Sequence, residues 1–171
     1  MQITNTTTVG EAAPFINEEH LKELLESELI TALPLEKSVF AMTLGEFLEC
    51  FADDYATRFF SNPDTILIFA VGRLKQWRSE MESVSKILTL NELKLTNEEK
   101  AAQRGVVFPT AQESILCEAV EYFHLHSFDE AEQIPLSNYL IMKRKKSAEA
   151  LYQRNLNKIY AAKNEKAGKT K

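Results

Sequence analysis

The chain has 171 residues, 44% of them apolar and 26% charged, which is enough for one globular domain and unlike a disordered or fibrous protein. Its five glycines and five prolines are too few for the many tight turns of a sheet protein, which favours helices. The formal net charge of −5 is unevenly spread. Residues 143–171 carry ten lysines and arginines against two glutamates, whereas residues 1–142 have a net charge of −13. Such a basic end is predicted to meet phosphates, an acidic partner or its own acidic body.

Composition also excludes several classes of protein. Cys50 and Cys117 lie far apart without CxxC spacing, which argues against a disulfide scaffold and a cysteine zinc site. The longest apolar run, 66–71, is too short to span a membrane. The threonine-rich first ten residues lack the basic and apolar regions of a secretory signal. We therefore expect a cytoplasmic protein with no membrane association.

The N-terminal third is predicted to contain two helices. Residues 1–16 are expected to form a flexible leader. A first helix is expected to follow Asn17, a favourable N-cap, and to end near Thr31 because Pro34 disfavours helix before it. A second helix is expected to start at the capping box Thr43-Leu44-Gly45-Glu46 and to carry an apolar stripe as far as Tyr55.

The segment that follows can be interpreted in two ways. Residues 66–71 have the composition of a buried strand or a buried helix, and periodicity does not separate the two. The N-cap pattern at Asn62-Pro63-Asp64, with Leu74 and Trp77 further on, favours one long helix over 63–88.

The rest of the chain carries several further helix-start signals. Capping boxes begin at four positions: Thr89, Thr96, Thr110 and Ser127. The box at Thr96 is expected to open a short helix closed by Gly105. The box at Thr110 should start a helix that ends near His126. Ser137 should cap a last helix, and residues 161–171 are expected to form a disordered basic tail.

Together these signals predict an all-α fold, an irregular bundle of six or seven helices with a long basic C-terminal helix. Residues 17–105 are expected to form an N-terminal helical part and residues 106–160 a C-terminal part of the same domain. The predicted core consists of apolar residues at helical spacing: Leu25, Phe47, Phe51, Ile68, Leu74, Trp77, Leu116, Val120 and Phe123.

No residue constellation indicates catalysis, a cofactor or a metal. Glu121 and His124 have the Glu-x-x-His spacing of di-iron bundles, but a second copy of that pair is absent from the sequence. The two cysteines sit in apolar stripes, without a neighbouring base that would activate them. The five isolated glycines form no phosphate-binding loop. We therefore predict that the protein is not an enzyme.

The basic end provides the candidate contact residues. Four consecutive cations, 143–146, ring the predicted helix rather than lining one face, whereas phosphate binding favours a stripe. The candidate contacts for a protein partner or for phosphates are Lys143, Arg144, Lys145, Lys146, Arg154 and Lys158.

Residues 110–150 resemble the small helical tail-assembly chaperones of tailed phages. The resemblance rests on the order of an apolar helix (113–120), a short helix from Ser127-Phe128-Asp129-Glu130, the stretch Ile134-Pro135-Leu136-Ser137, and a charged helix. It implies a non-enzymatic, partner-binding role and supplies no functional residue.

We therefore expect a non-catalytic protein-interaction component: an adaptor, an assembly chaperone or a small structural protein. The alternative is a helical protein that binds nucleic acid, weakly, through the basic C-terminal helix, because the same region also has the order of a helix-turn-helix. The sequence sets neither the partner nor the oligomeric state.

Overall fold

The computed structural model describes residues 3–51, 55–89, 106–107 and 109–168, with side chains as far as Lys163. Within these ranges the chain is all-α, as predicted, and contains no strand beyond two isolated bridges. The α-helices are α1 (Val9–Ala12), α2 (Glu18–Glu26), α3 (Leu44–Glu49), α4 (Leu67–Leu88), α5 (Ala111–Phe123), α6 (Phe128–Glu132) and α7 (Leu136–Gly168). Two 3-10 helices, Val39–Ala41 and Tyr55–Phe60, lie on either side of α3.

Several helix starts follow the predicted capping chemistry. Asn17 caps α2, and complete capping boxes open α3 at Thr43 and α5 at Thr110. Ser127 caps α6, but the carboxylate of Glu130 accepts from the backbone of residue 126 instead of closing a box. The box predicted to begin at residue 89 extends into the part of the chain outside the described residues. The box predicted at residue 96 and the helix end predicted at residue 105 lie outside the described residues.

The predicted flexible leader is wrong, because residues 7–12 are built into the fold. Thr8 opens α1 with a full capping box, and Val9 and Ala12 are buried. The backbone of Val9 donates to the carbonyl of Thr65, and Leu67 donates to the carbonyl of Thr7, both at 2.8 Å. These two bonds hold the start of α1 against the start of α4.

The ambiguous segment 66–71 is helical, as the cap pattern favoured, but α4 begins later than predicted. The Asn62 side chain accepts from the backbone of Asp64 in a local turn instead of capping a helix. Thr65 and Leu67 are engaged by residues 7–9, so the chain is extended there and the helix starts at Leu67.

Other helix boundaries also differ from the prediction. α2 ends at Glu26 rather than near residue 31, because Ser27 is extended and its carbonyl accepts from the Lys75 ammonium of α4. α5 ends at Phe123, since His124 adopts the left-handed conformation with φ 55°. The apolar stripe of α3 stops at Glu49, and residues 55–60 form a separate 3-10 helix.

The last helix differs from the prediction at both ends. It starts at Leu136, where the Pro135 carbonyl accepts from the backbone of residues 138 and 139, so Ser137 is inside the helix. It continues to Gly168 rather than giving way to a disordered tail at 161, and no proline or glycine interrupts it before that residue.

Two hydrophobic clusters form the core, and α4 belongs to both. One cluster joins α1 and the first turns of α4, covered by the leucines of α2. The larger cluster joins α3, the last turns of α4, and buried residues of α5, α6 and α7. α3 therefore packs with elements from beyond residue 105, so the larger core combines the two predicted helical parts.

The predicted core list holds in part. Phe47 and Leu74 are fully buried. Phe51 is 49% exposed, so that assignment is wrong: it lies past the end of α3, and its ring packs edge-on against Phe47 at a centroid distance of 5.1 Å. The other six are half-buried, and all of them except Ile68 pack against one of the clusters: Leu25, Ile68, Trp77, Leu116, Val120 and Phe123.

The two clusters are closed by the same device. A Thr-x-Gly-Glu capping box starts α1 at Thr8 and α3 at Thr43, and each threonine forms an antiparallel bridge with the start of a long helix. The glycine in each box leaves room for another segment of the chain to lie close to it. A Cβ on Gly10 would lie 3.0 Å from a carbon of residue 63, and one on Gly45 would lie 2.9 Å from a carbon of residue 132.

Candidate functional site

The first turns of α7 are fixed in the larger core. Leu136, Tyr139, Leu140 and Met142 are buried there. The backbone of Leu136 donates to the carbonyl of residue 42 at 2.9 Å, which ties the helix start to that of α3. The direction in which α7 leaves the core is therefore set by packing and by backbone hydrogen bonds.

A partly buried polar cluster continues this attachment. Glu118 of α5 accepts a hydrogen bond from the Tyr139 hydroxyl at 3.0 Å and one from the Lys143 ammonium at 2.8 Å. Burial, together with the neighbouring Glu118 carboxylate, raises the pKa of Tyr139 above its ordinary value of 10.0. Tyr139 therefore stays neutral and donates, and Lys143 compensates the charge of Glu118.

The next two cations lie beside an aromatic ring. The ammonium of Lys146 is 5.6 Å from the centroid of the Tyr122 ring, and that of Lys145 is 6.0 Å from it. Cation–π contacts at exposed sites contribute about 0.5–1 kcal/mol. Lys145 also approaches Glu149 on its own helix at 3.9 Å, a distance at which an exposed pair contributes little.

The six predicted contact residues are thus in different surroundings. Lys143 is engaged by Glu118, while Lys145 and Lys146 flank Tyr122. Arg144 and Lys158 are exposed, and Arg154 is half-buried. Only part of the predicted basic cluster therefore faces outwards from the protein.

Beyond residue 147, α7 extends out of the core. From Ala148 to Lys163 every side chain is exposed except those of Arg154 and Leu156, which are half-buried. Tyr152 is 68% exposed and Ile159 is 53% exposed. We call this segment, 148–163, the outer half of α7.

The spacing of the apolar residues on this helix predicts apolar contacts along its whole length, but only Leu140 among them is buried. Leu156 is half-buried, and the prediction is wrong for the other five, which are exposed. Those five are Ala148, Leu151, Tyr152, Ile159 and Tyr160.

A signal for this exposure was present in the sequence. At 3.6 residues per turn, Ile141, Ala148, Tyr152 and Ile159 fall within about 40° of one another and nearly opposite the buried Tyr139. We call these four residues the outer stripe. The line of the buried Tyr139, continued as far as residue 157, carries no large apolar side chain, so an apolar contact along that line ends there.

A cavity away from α7 has a mixed lining. It measures about 520 Å³ and is bordered by aromatic side chains and by three ion pairs, Lys37–Glu46, Arg58–Glu49 and Arg73–Glu36. Tyr55 stacks on Trp77 at its back, with ring centroids 5.4 Å apart. These pairs neutralise one another across the rim, so the cleft has no excess of either charge.

The residues considered for chemistry are not arranged for it. Cys50 is buried, and burial raises the pKa of its thiol, which is the opposite of what activates a nucleophile. Cys117 is exposed. Among the described residues, no group of three or more His, Cys, Asp or Glu side chains could hold a metal ion.

No helix formed by the described residues is long and apolar enough to cross a membrane. No family model matches the chain, and no match was found among curated proteins or among solved structures.

Proposed function

We propose that the protein is a non-catalytic interaction component, an adaptor or assembly chaperone, that docks on a protein through the outer half of α7. The observation that carries the proposal is the apolar outer stripe on a helix that is solvent-exposed around most of its circumference. A helix with no surface to pack against seldom keeps isoleucine and tyrosine aligned on one side, whereas a helix that enters a partner's groove needs such anchors.

The charges around the outer stripe indicate what kind of protein would fit. Arg144, Lys145 and Lys163 lie within about 60° of the stripe, counting 100° per residue. A partner with an apolar groove and an acidic rim would complement both features. Burying an exposed isoleucine or tyrosine in such a groove contributes about 1–2 kcal/mol.

A protein partner fits these surroundings better than nucleic acid. Lys143 is held by Glu118, and the apolar stripe has no use on a phosphate backbone. The resemblance of residues 110–150 to phage tail-assembly chaperones supports the assembly-chaperone form of the proposal and remains a prediction.

Site-specific photocrosslinking in the native cells tests this proposal. A benzoylphenylalanine at Tyr152 is expected to crosslink to one protein in high yield. Placed at Asn157, which is exposed and about 140° away around the helix, the same probe is expected to give a much weaker product.

An Ile159→Asp substitution supplies the second control. It adds a charge to the outer stripe without touching the core, so the crosslink from position 152 should fall at least about tenfold while the circular dichroism stays unchanged. Equal labelling from positions 152 and 157, or no polypeptide product from either, would contradict the proposal.

A further inference from the structure

A second exposed apolar surface lies along α2, beside the smaller of the two hydrophobic clusters. Two adjoining cavities, of about 400 and 290 Å³, share Ile3 and Leu24 in their linings. Together they form a continuous depression along α2. We call it the α2 groove, and its main apolar residues are Ile3, Phe15, Leu24, Leu29, Ile30 and Phe69.

The exposed leucine at the edge of this groove is held there by fixed backbone. The Lys75 ammonium donates to the carbonyls of Ser27 and Ile30, so both ends of the turn containing Leu29 are tied to α4. Leu33 donates to the carbonyl of Gly72 at 3.0 Å and continues the attachment. Leu29 nevertheless remains 95% exposed. An apolar side chain held in solvent by an ordered turn is preorganised for a partner.

The segment that contains α2 is strongly acidic. Residues 17–30 contain five glutamates and one lysine, Lys22. All five glutamates are exposed: Glu18, Glu19, Glu23, Glu26 and Glu28. Glu23 borders the groove itself, and the other four lie on the same segment, so the apolar groove has the acidic surroundings that the outer half of α7 would require.

We propose that the partner of the outer half of α7 is a second copy of this chain, which receives it in the α2 groove. This inference rests on the proposed function and names its partner. The outer half and its approach carry Arg144, Lys145, Arg154, Lys158 and Lys163 against a single acid, Glu149, so the two surfaces have opposite charge. Each surface also supplies exposed aliphatic and aromatic side chains to the other.

Geometry disfavours the same contact within one molecule. α7 is one continuous helix of 33 residues, about 50 Å long, and it has no proline or glycine before its last residue. To fold back onto its own α2, it would have to break, at the cost of several helical hydrogen bonds. The groove of a second copy is reached without any break.

Charge also disfavours pairing of two α7 helices with each other. Such a pair would place the cations of both outer halves side by side, within the screening length of about 10 Å at ordinary salt. The contact between α7 and the groove is instead heterologous: each copy offers one helix and one groove. Repetition of it builds a chain of copies or closes a ring.

Sedimentation velocity on the purified full chain tests the inference. The wild type is expected to gain mass with concentration up to about 1 mM and to associate several-fold more weakly at high salt. A tail variant, Ile159→Asp, and a groove variant, Leu29→Asp, should each be monomeric. Mixed together, the two should form a 1:1 dimer and nothing larger, because one intact groove and one intact helix remain.

Val107→Asp is the matched control, because Val107 is also 95% exposed but lies outside both surfaces, and this variant should associate like the wild type. A groove variant that still self-associates would overturn the inference in favour of helix–helix pairing. A monomeric wild type would overturn it as well, and so would a mixture that stays monomeric.

The mapping arm uses the benzoylphenylalanine at Tyr152 and identifies the peptides it labels. Labelling within residues 15–33 of a second copy supports the inference. A product with a different protein, or with nucleic acid, contradicts it. A crosslink to a different protein would leave the proposed interaction role intact, whereas absence of any protein product would contradict both.

Discussion

Two phenylalanines on neighbouring turns provide a test of how the larger core is built. Phe47 is 1% exposed, whereas Phe51 is 49% exposed and packs on it from outside. Phe47→Ala leaves a cavity in the core, and such changes cost about 3–5 kcal/mol of unfolding free energy. Phe51→Ala removes a ring that is half in water already, which costs about 1 kcal/mol. The edge-to-face contact between the rings is lost in both variants, so it cancels in the comparison.

Urea unfolding followed by circular dichroism measures the difference. We expect Phe47→Ala to be less stable than Phe51→Ala by about 2–4 kcal/mol, with similar slopes in urea. If Phe47→Ala does not fold, Phe47→Leu replaces it and should still be the less stable variant. Equal costs at the two positions, or a larger cost at Phe51, would refute the packing of α3 described above.

Three further results are expected. His124→Gly should stabilise the protein by about 1 kcal/mol in thermal unfolding, because glycine adopts the left-handed φ without strain. His126→Gly should not stabilise it. Reduced stability in both variants would contradict the left-handed conformation of His124. The raised pKa of Tyr139 means that this residue favours folding below pH 10 and that its contribution is lost as the pH rises. In urea titrations, Tyr139→Phe should reduce the loss of unfolding free energy between about pH 9 and 11 by about 1.4 kcal/mol. The same loss in the variant as in the wild type would contradict this role of Tyr139. In mobility shifts with duplex DNA, binding should be weak and salt-sensitive, and replacing Lys145 and Lys146 by Gln should lower the log–log salt slope by about two if both contact phosphates; tight, sequence-selective binding at 200 mM salt would favour the nucleic-acid alternative.

The sequence by itself determined the helical class and several helix starts. Capping is local: the Thr43 and Thr110 boxes need only four consecutive residues, and both occur as predicted. The box at Thr8-Val9-Gly10-Glu11 is equally local, so the start of α1 is also encoded in four consecutive residues. The uneven charge of the chain was also evident from the sequence, since charge counts need no fold.

Boundaries and exposure were decided by tertiary contacts. α2 ends where Lys75, 48 residues further along the chain from Ser27, takes a backbone carbonyl, and α4 starts where residues 7–9 pair with it. Whether an apolar residue is buried depends on what lies opposite, which periodicity does not specify. Phe47 and Phe51 belong to the same predicted apolar stripe, but only Phe47 is buried. Leu140 and Ile159 lie on the same helix, but only Leu140 reaches the core. The α2 groove and the outer half of α7 are therefore products of the folded structure, because each is defined by surfaces that the fold leaves uncovered.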